Sequence, residues 1–314
     1  MKGVILDADS LGHGVDLSPV TELLDHWDIH ASTVSSEVSR RIDGASVVLS
    51  NKVPLNEAVF AATPSLKLVS IMATGTNNVD LQAAGKLGVT VCNAVAYATP
   101  SVVQHTIALM LNLATNLTGY VDDVRNGHWQ KSPVFCLLGH PIIELAGKTL
   151  GIVGYGELGS NLAKVATAFG MHVIISETPS TKEGRVPLEE LLKSSDFVSL
   201  HCPLTDSNQH MINRETLALM KQDAFLINTA RGGLVNSKHL IQALGNNIIR
   251  GAAIDVLDAE PPSADEPLIA ADLPNLLITP HNAWGAIESR QRLIVQMQEN
   301  ITGFLKGTIV RQVN

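Results

Sequence analysis

The length, composition and charge of this chain exclude several classes of protein. Its 314 residues are enough for about two domains, and 45% hydrophobic with 17% charged residues describes a globular chain with a sizeable core, not a disordered one. A formal net charge of −8 argues against general binding to nucleic acid or to an anionic membrane, and no uninterrupted apolar stretch is long enough for a membrane span. Chemistry on small molecules is favoured.

The cysteines and the amino terminus predict a cytoplasmic protein. Cys92, Cys136 and Cys202 are odd in number and widely spaced, so they match neither a disulfide framework nor a zinc-binding pattern. We therefore expect free thiols and no metal site. The first residues, MKGVILDADS, lack the long apolar stretch and cleavage site of a signal peptide.

Short apolar runs alternate with helical spacing in the first part of the chain. The predicted strands are 3–6, 46–49, 66–71 and 89–92, and the predicted helices are 18–24, 55–61 and 79–87. Strands that alternate with helices form a parallel sheet that is covered on both faces. This part of the chain is therefore expected to be an α/β domain.

The first predicted strand runs into the sequence DADS, which offers an alternative function. Asp7 and Asp9 are spaced as in the phosphoaspartate hydrolases, where two such carboxylates could hold magnesium. That chemistry also needs a lysine and a later acidic pair at strand ends, and no Asp-Asp sequence follows a suitable strand. A polar strand end is the favoured interpretation, and a phosphohydrolase stays open as an alternative.

A long helix and an extended arm come next. Thr99 and Pro100 predict an N-cap and a first-turn proline for a helix over 101–117, which is too polar to span a membrane. The following residues, 118–144, have little regular pattern but carry several large apolar side chains. These are Trp129, Phe135, Leu137 and Leu138. Apolar side chains on an extended arm suit a subunit contact, so residues 101–145 predict a homodimer.

The middle of the chain carries a dinucleotide-binding pattern. Residues 150–153 predict a strand, 158–169 a helix and 173–175 a second strand, and GYGELG fills the pattern GxGxxG after the first strand. The first glycine allows a tight turn, the second lets the backbone approach a pyrophosphate, and the third lets helix and strand pack closely. The predicted cofactor contacts of this turn are Gly154, Gly156, Glu157, Leu158 and Gly159.

Glu177 predicts which dinucleotide is bound. It ends the second strand, about 20 residues after the first glycine, where an acid binds the hydroxyls of the adenosine ribose. A carboxylate at that place repels the 2′-phosphate of NADP. Lys182 and Arg185 come later, but no basic residue directly follows the acid. The sequence therefore predicts NAD as the cofactor.

Strands and helices alternate again to the end of the chain. The predicted strands are 197–201, 224–228, 251–256 and 276–279. The last helix, 286–305, has no strand after it and is expected to return to the first domain. We therefore expect an α/β fold of two doubly wound parallel-sheet domains. A Rossmann nucleotide domain, 99–285, is inserted in a flavodoxin-like substrate domain made of 1–98 and completed by 286–314.

Three residues that follow predicted strands have the chemistry that hydride transfer needs. Arg231, on a glycine-rich turn, could grip a carboxylate with two parallel hydrogen bonds, Glu260 precedes two prolines, and His281 follows Thr-Pro. Ligands of doubly wound sheets gather at the carboxyl ends of strands. Each residue alone has a structural explanation: Arg231 could form a surface ion pair, Glu260 could cap a loop and His281 could pack in the core. Together they put a cation, an acid and a titratable group beside a nicotinamide site.

The same motifs resemble a known family. NTARGGLV, AAIDVLDAEPP and LLITPHNAWGA, in this order behind GYGELG, are similar to those of the D-isomer-specific 2-hydroxyacid dehydrogenases, over nearly the whole chain. SNKVPL, ATGTNNVD and NAVAYATPSVVQHT most resemble the glycerate dehydrogenase (hydroxypyruvate reductase) branch. The resemblance implies that Arg231 clamps the substrate, that His281 donates a proton to the carbonyl and that Glu260 is its partner.

The resemblance also implies further binding residues and a reaction. Those at the substrate carboxylate are Asn51, Thr74 and Gly75, and those at the cofactor, besides the glycine turn and Glu177, are His201, Cys202, Pro203, Thr229, Ala230 and Asp255. The expected reaction is NADH-dependent reduction of a small 2-oxo acid such as hydroxypyruvate to the D-2-hydroxy acid, and its reverse. A dinucleotide-sensing binding protein, like the corepressors of this architecture, is an alternative that the negative charge disfavours.

Overall fold

The computed structural model describes residues 1–314, which divide into two compact units. Unit 1 comprises Met1–Ala98 and Gly285–Asn314, and unit 2 comprises Thr99–Trp284. Unit 1 is therefore built from both ends of the chain, and unit 2 is inserted in it.

The strands and helices are numbered in chain order. The strands are β1 (Lys2–Ile5), β2 (His26–Ile29), β3 (Val47–Ser50), β4 (Leu68–Ile71), β5 (Thr90–Cys92), β6 (Thr149–Val153), β7 (His172–Ile175), β8 (Phe197–Leu200), β9 (Phe225–Asn228), β10 (Gly251–Ile254) and β11 (Leu276–Ile278). The helices are α1 (Ser18–Thr21), α2 (Val38–Arg41), α3 (Glu57–Ala62), α4 (Leu81–Lys86), α5 (Thr99–Thr115), α6 (Leu117–Arg125), α7 (Glu157–Ala168), α8 (Leu188–Ser194), α9 (Arg214–Leu217), α10 (Ser237–Gly245), α11 (Pro267–Ala270) and α12 (Ile287–Leu305). None of these helices has the length and apolar character needed to cross a membrane.

Unit 1 contains a five-stranded sheet in the order β2-β1-β3-β4-β5, with all pairs parallel. This is the flavodoxin-like order, as predicted. Every residue of β3 and β4 is buried, because helices cover both faces of a parallel sheet. On one face α12 packs against β4, where Asn300 Nδ2 donates to Ser70 Oγ at 2.9 Å. The strand order reverses between β1 and β3.

Unit 2 contains a six-stranded parallel sheet in the order β11-β10-β9-β8-β6-β7. Two clusters of buried apolar side chains lie in this unit: one includes Val198, Leu226 and Leu240, and the other includes Ile107, Leu162 and Ile227. The order of this sheet reverses between β6 and β8. The prediction of two doubly wound parallel sheets is confirmed.

The structure differs from the sequence prediction in several local features. The edge strand β2 and the short helix α2 were not predicted, and α5 begins at Thr99 instead of at residue 101. The stretch predicted to be irregular begins with α6, which a left-handed Asn116 (φ 52°) separates from α5. No residue of α6 is buried, and its apolar residues Leu117, Val121 and Val124 are exposed. Tyr120 holds the helix by donating to the carbonyl of His140 at 2.6 Å.

Candidate active site

The turn between β6 and α7 contains the three glycines of the predicted pattern. Gly154 has a φ of +98°, and a Cβ there would lie 2.5 Å from the backbone nitrogen of Cys202. A Cβ on Gly159 would overlap the carbonyl oxygen of Gly154, so α7 can start this close to β6 only with glycine. At Gly156 the Cβ position has nothing within 4 Å. Packing inside the protein thus requires two of the glycines, and the third borders open space.

The open space at Gly156 fits the pyrophosphate of a dinucleotide. Gly156 is the N-cap of α7, and no side chain caps the helix, whose first turn is Glu157, Leu158 and Gly159. The N–H groups of that turn and the positive end of the helix dipole favour an anion there. The residues present therefore fit the phosphate groups of a dinucleotide.

His201, Cys202 and Pro203 follow β8, beside the glycine turn. The N–H of His201 donates to the carbonyl of Val153 at 2.7 Å, and its ring Nε2 lies 2.8 Å from Ser199 Oγ. The ring Nδ1 is buried without a hydrogen-bond partner. Burial lowers the pKa of His201 to about 4 and raises the pKa of the Cys202 thiol, so both groups are neutral near pH 7. The positive potential at the turn comes from the backbone of α7.

Glu177 lies in the loop after β7, and its contact with the ribose stays a prediction. Its N–H donates to the carbonyl of Val186 at 2.8 Å, which pins the two ends of this loop together. The guanidinium carbon of Arg185 lies 5.9 Å from the ring centre of Tyr155, a residue of the glycine turn. The loop thus brings a carboxylate and a guanidinium to this side of unit 2.

The turn that carries Arg231 is built by the buried side chain of Asn228. Its Nδ2 donates to the carbonyl of Arg231 at 2.8 Å, and its Oδ1 accepts the N–H of Ala230 at 3.0 Å. A Cβ on Gly232 would overlap the backbone of Leu257, so the turn lies directly against the chain that leaves β10. Arg231 is exposed, and one of its Nη atoms donates to the carbonyl of Ala230 at 2.7 Å. The guanidinium is therefore accessible to a ligand.

His281 and Glu260 are in direct contact. Glu260 Oε2 lies 2.5 Å from His281 Nδ1, and each side chain is 30% exposed. The other oxygen of Glu260 accepts the N–H of Leu257 at 2.8 Å. The carboxylate is thus anchored at one oxygen and orients the imidazole with the other. Because Nδ1 faces Glu260, Nε2 is the ring nitrogen that can face a substrate.

Two further predicted cofactor contacts, Thr229 and Ala230, are buried in the turn before Arg231. Thr229 Oγ1 lies 3.3 Å from the hydroxyl of Thr106 in α5. Asp255 is also buried, and its carboxylate accepts the N–H groups of Asn282 and Ala283, each at 3.1 Å. Asp255 therefore shapes the loop that carries His281, a function that the sequence did not predict.

The residues predicted at the substrate carboxylate lie at the carboxyl edge of the unit 1 sheet. Asn51 follows β3, and its Nδ2 donates to Ser10 Oγ at 3.1 Å. Thr74 and Gly75 belong to the turn after β4, where Asn93 Nδ2 donates to the carbonyl of Thr74 at 2.8 Å. Since β3 and β4 are neighbours, all three residues share one edge of that sheet. Their contact with a substrate remains a prediction.

Asp7 argues against the phosphohydrolase alternative. The residue is 7% exposed, and its carboxylate oxygens accept the N–H of Asn51 at 2.9 Å and that of Lys52 at 2.8 Å. No three or more acidic, histidine or cysteine side chains are grouped so as to hold a metal ion. The carboxylate of the DADS sequence therefore builds the turn after β3.

Sequence reasoning missed His105. Its ring Nε2 lies 3.1 Å from Thr279 Oγ1 and 3.5 Å from Asp255 Oδ1. The available signal was an ionisable residue in a helix that is otherwise largely apolar and buried. Such a signal indicates that a polar partner exists, but it does not identify a partner far along the chain.

Comparison with known proteins agrees with this geometry. The family described as "D-isomer specific 2-hydroxyacid dehydrogenase, NAD binding domain" matches residues 107–283. The glycerate dehydrogenase of Methylorubrum extorquens is 42% identical over 98% of this chain and 96% of its own. The hydroxypyruvate reductase of Blautia hydrogenotrophica is 37% identical over the full length of both chains. The crystal structure of the TT0316 protein from Thermus thermophilus superposes with a TM-score of 0.88, at 31% identity over all of both chains.

The match covers more than half of the chain and contains the glycine turn, Arg231, Glu260 and His281. It supports an enzyme over the dinucleotide-sensing binding protein. The chain therefore belongs to the D-isomer-specific 2-hydroxyacid dehydrogenase family and is an NAD-dependent oxidoreductase.

Proposed function

We propose that this enzyme interconverts small 2-oxo acids and D-2-hydroxy acids, with hydroxypyruvate and D-glycerate as the main pair. The observation that carries the proposal is the contact between His281 and Glu260 at 2.5 Å, in the same unit as the Arg231 turn and the glycine turn. The names of the two relatives, a glycerate dehydrogenase and a hydroxypyruvate reductase, support this choice of substrate.

His281 is the proposed proton donor. Glu260 faces Nδ1 and orients the ring, which leaves Nε2 to face the carbonyl oxygen of the substrate and to donate a proton to it. In the reverse direction the neutral ring accepts the proton of the 2-hydroxyl group. The anchoring of Glu260 to the N–H of Leu257 keeps the ring orientation constant through both directions.

Arg231 is the proposed substrate clamp. Its planar guanidinium can form two parallel hydrogen bonds with the substrate carboxylate, which fixes the 2-oxo group relative to His281. The turn of Arg231 packs against the backbone of Leu257, the same residue whose N–H holds Glu260. The backbone of Leu257 thus supports both the turn of Arg231 and the side chain of Glu260.

NADH held at the glycine turn would supply a hydride for the carbonyl carbon. His281 supplies the proton for the carbonyl oxygen, so that the hydride and the proton together convert the 2-oxo group to the 2-hydroxyl group. We assign binding of the substrate carboxylate also to Asn51, Thr74 and Gly75 of unit 1, as the substrate domain. Neutral donors suit that task.

The substrate is tested by following NADH oxidation with hydroxypyruvate, glyoxylate, pyruvate and a bulky 2-oxo acid. We expect the largest kcat/KM for hydroxypyruvate and a D-configured product on chiral analysis. A preference for the bulky acid would contradict the substrate assignment, and no oxidation with any member of the panel would contradict the function.

The preference for NADH over NADPH is assigned to Glu177. Glu177→Ala should weaken NADH and relieve the repulsion of NADPH, whose 2′-phosphate could then use Arg185 on Tyr155. The ratio of kcat/KM for the two cofactors measures this. Glu183→Ala, which removes an exposed acid of the same loop, is the control. Equal use of both cofactors by the wild type would refute the assignment.

We further propose a cytoplasmic homodimer that associates through residues 101–145. The three free cysteines suit a reducing compartment, and the arm exposes Trp129 (51%), Phe135 (90%) and Leu138 (76%). Light scattering should give twice the chain mass. Phe135→Ser combined with Leu138→Ser should shift the protein to monomer, whereas Ile309→Ser, at an exposed apolar residue of unit 1, should not.

A further inference from the structure

A chain of hydrogen bonds links helix α5 to the loop of His281. His105, on α5, has a side chain that is 22% exposed, and its Nε2 lies 3.1 Å from Thr279 Oγ1. The hydroxyl of Thr279 lies 2.6 Å from Asp255 Oδ1. All three residues belong to unit 2, and none of them is one of the three proposed catalytic groups.

The donors and acceptors in this chain can be assigned. The hydroxyl of Thr279 donates its proton to Asp255 Oδ1. The oxygen of Thr279 must then accept from His105, which therefore carries a proton on Nε2. The direction of donation runs from His105 through Thr279 to Asp255.

Asp255, the last residue in this series of hydrogen bonds, fixes the backbone around His281. Its carbonyl accepts the N–H of His281 at 2.8 Å, and its carboxylate holds the next two N–H groups, those of Asn282 and Ala283. His281 has a φ of 50°, a left-handed conformation that is unfavourable for a residue with a Cβ. Such a conformation persists only when the surrounding bonds hold it, and those bonds converge on Asp255.

We propose that His105 and Thr279 are positioning residues of the dehydrogenase reaction, which act through Asp255 to hold His281 in its proton-donating geometry. The inference rests on the proposed role of His281 as proton donor. When the hydroxyl of Thr279 is removed, Asp255 Oδ1 loses its shortest hydrogen bond, and the buried carboxylate can rotate away from the N–H groups of the loop. The His281 ring then moves relative to the substrate, and small displacements of a reacting group reduce the rate strongly.

The test uses pairs of variants that differ in the hydrogen bond alone. Thr279→Val and His105→Leu remove the bonds at similar volume, whereas Thr279→Ser and His105→Gln keep a donor. Thr115→Val is the control, because the hydroxyl of this α5 residue bonds to the carbonyl of Leu111 in its own helix. For each variant we would measure kcat, KM, the NADH dissociation constant, the solvent deuterium isotope effect on kcat and the melting temperature.

We expect Thr279→Val and His105→Leu to lower kcat by about 10–100-fold while NADH dissociation changes less than about twofold. The solvent isotope effect should rise, because a misaligned proton donor makes proton transfer more rate-limiting. Thr279→Ser and His105→Gln should recover most of kcat. The double variant Thr279→Val/His105→Leu should be no slower than Thr279→Val, because both changes break the same chain.

Additive losses in the double variant, an unchanged isotope effect, or full activity of Thr279→Val would overturn the proposal. If Thr279→Val does not fold, the comparison of His105→Leu with His105→Gln decides by the same measurements. A wild type that does not reduce 2-oxo acids would refute the proposed function itself. A fully active His281→Ala would refute the role of His281, and these results are distinct from those that refute the positioning role.

Discussion

The two sheets reverse their strand order at one place each, and the two places are used in opposite ways. In unit 1 the reversal lies between β1 and β3, where the carboxylate of Asp7 accepts the N–H groups of Asn51 and Lys52. In unit 2 it lies between β6 and β8, where Gly154 approaches the backbone of Cys202 and Gly156 borders open space. Ligands of doubly wound sheets bind at such reversals. In unit 1 the carboxylate of Asp7 occupies the reversal and accepts its backbone N–H groups. In unit 2 no side chain caps α7, so the N–H groups of its first turn can bind an anion from outside the protein.

The sheet topology provides the place, and the residues that follow the strands decide how it is used. Burial raises the pKa of Asp7, although the N–H groups of Lys52 and Asn51 oppose this effect. The protein thus keeps a costly buried acid to shape a turn. At the other reversal, Gly154 and Gly156 have no side chain that could fill the turn, and the space at Gly156 stays open.

The strongest test of unit 2 as the catalytic side is His281→Ala. We expect kcat/KM to fall by about 10²–10⁴-fold, because the carbonyl oxygen loses its proton donor. Steady-state kinetics should be recorded beside thermal melts. If the variant is less stable but keeps its activity per folded molecule, His281 only packs in the fold. Unit 2 would then contain a cofactor site but not the proton donor.

Arg231→Lys should have the next largest effect. The lysine keeps the charge but loses the planar fork, so KM for the 2-oxo acid should rise by about 10–100-fold, the range for hydrogen bonds to a charged group. NADH affinity, measured by fluorescence quenching, should stay the same. Arg214→Lys, the same substitution at an exposed arginine, serves as a matched control. Wild-type KM in Arg231→Lys would assign the clamp to unit 1 alone.

Glu260→Gln should lower kcat more than it changes KM. The amide keeps the volume of the side chain but loses the second carboxylate oxygen, so it cannot both accept the N–H of Leu257 and face His281 Nδ1 at 2.5 Å. The ring should then lose its fixed orientation toward the carbonyl, and kcat should fall by about 10-fold in steady-state kinetics, with NADH affinity unchanged. A kcat equal to that of the wild type would mean that Glu260 only supports the loop through Leu257.

Asp7→Asn should have the smallest kinetic effect and tests the filled reversal of unit 1. An amide accepts only one of the two N–H groups, so the turn of Asn51 should shift and KM should rise about 2–10-fold, with kcat little changed.

Asp7→Asn also predicts a pH effect on stability. Since the folded state raises the pKa of Asp7, it holds the proton more tightly than the unfolded chain, and the wild type gains stability as pH falls through that raised value toward 3.8. The melting temperature of the wild type relative to Asp7→Asn should therefore increase from pH 7 to pH 4.5. A decrease would mean that the N–H groups of Asn51 and Lys52 outweigh burial.

The features predicted from the sequence are those with local signatures. The parallel sheets follow from alternating strands and helices, and the glycine turn follows from the mechanical needs of Gly154 and Gly159. The placement of Arg231, Glu260 and His281 on one sheet edge follows from their positions after strands. Their roles, together with those of Asn51, Thr74 and Gly75, stay predictions.

The features that escaped prediction depend on distant contacts. The bond from His105 to Thr279 joins residues 174 positions apart, and no local pattern encodes it. The use of Asp7 depends on N–H groups more than 40 residues away, so the DADS sequence left a metal-dependent hydrolase open as an alternative. The helix α6 was not predicted, although Leu117, Tyr120, Val121 and Val124 recur at helical spacing; none of its residues is buried, and the contact that holds it is with His140, 20 positions from Tyr120.

The bond from Ser101 Oγ to the carbonyl of Ala283, 2.7 Å long and 182 positions apart in sequence, has a consequence for the order of folding. It brings the two ends of unit 2 together once that unit is folded. The contact of α12 with β4 joins residues such as Ser70 and Asn300, 230 positions apart. With unit 2 unfolded, closing that loop would cost roughly 5 kcal/mol of chain entropy, and most of this cost disappears when a folded unit 2 spans the gap. Unit 2 is therefore expected to fold first. The carboxyl-terminal helix α12 is expected to pack on the sheet of unit 1 last.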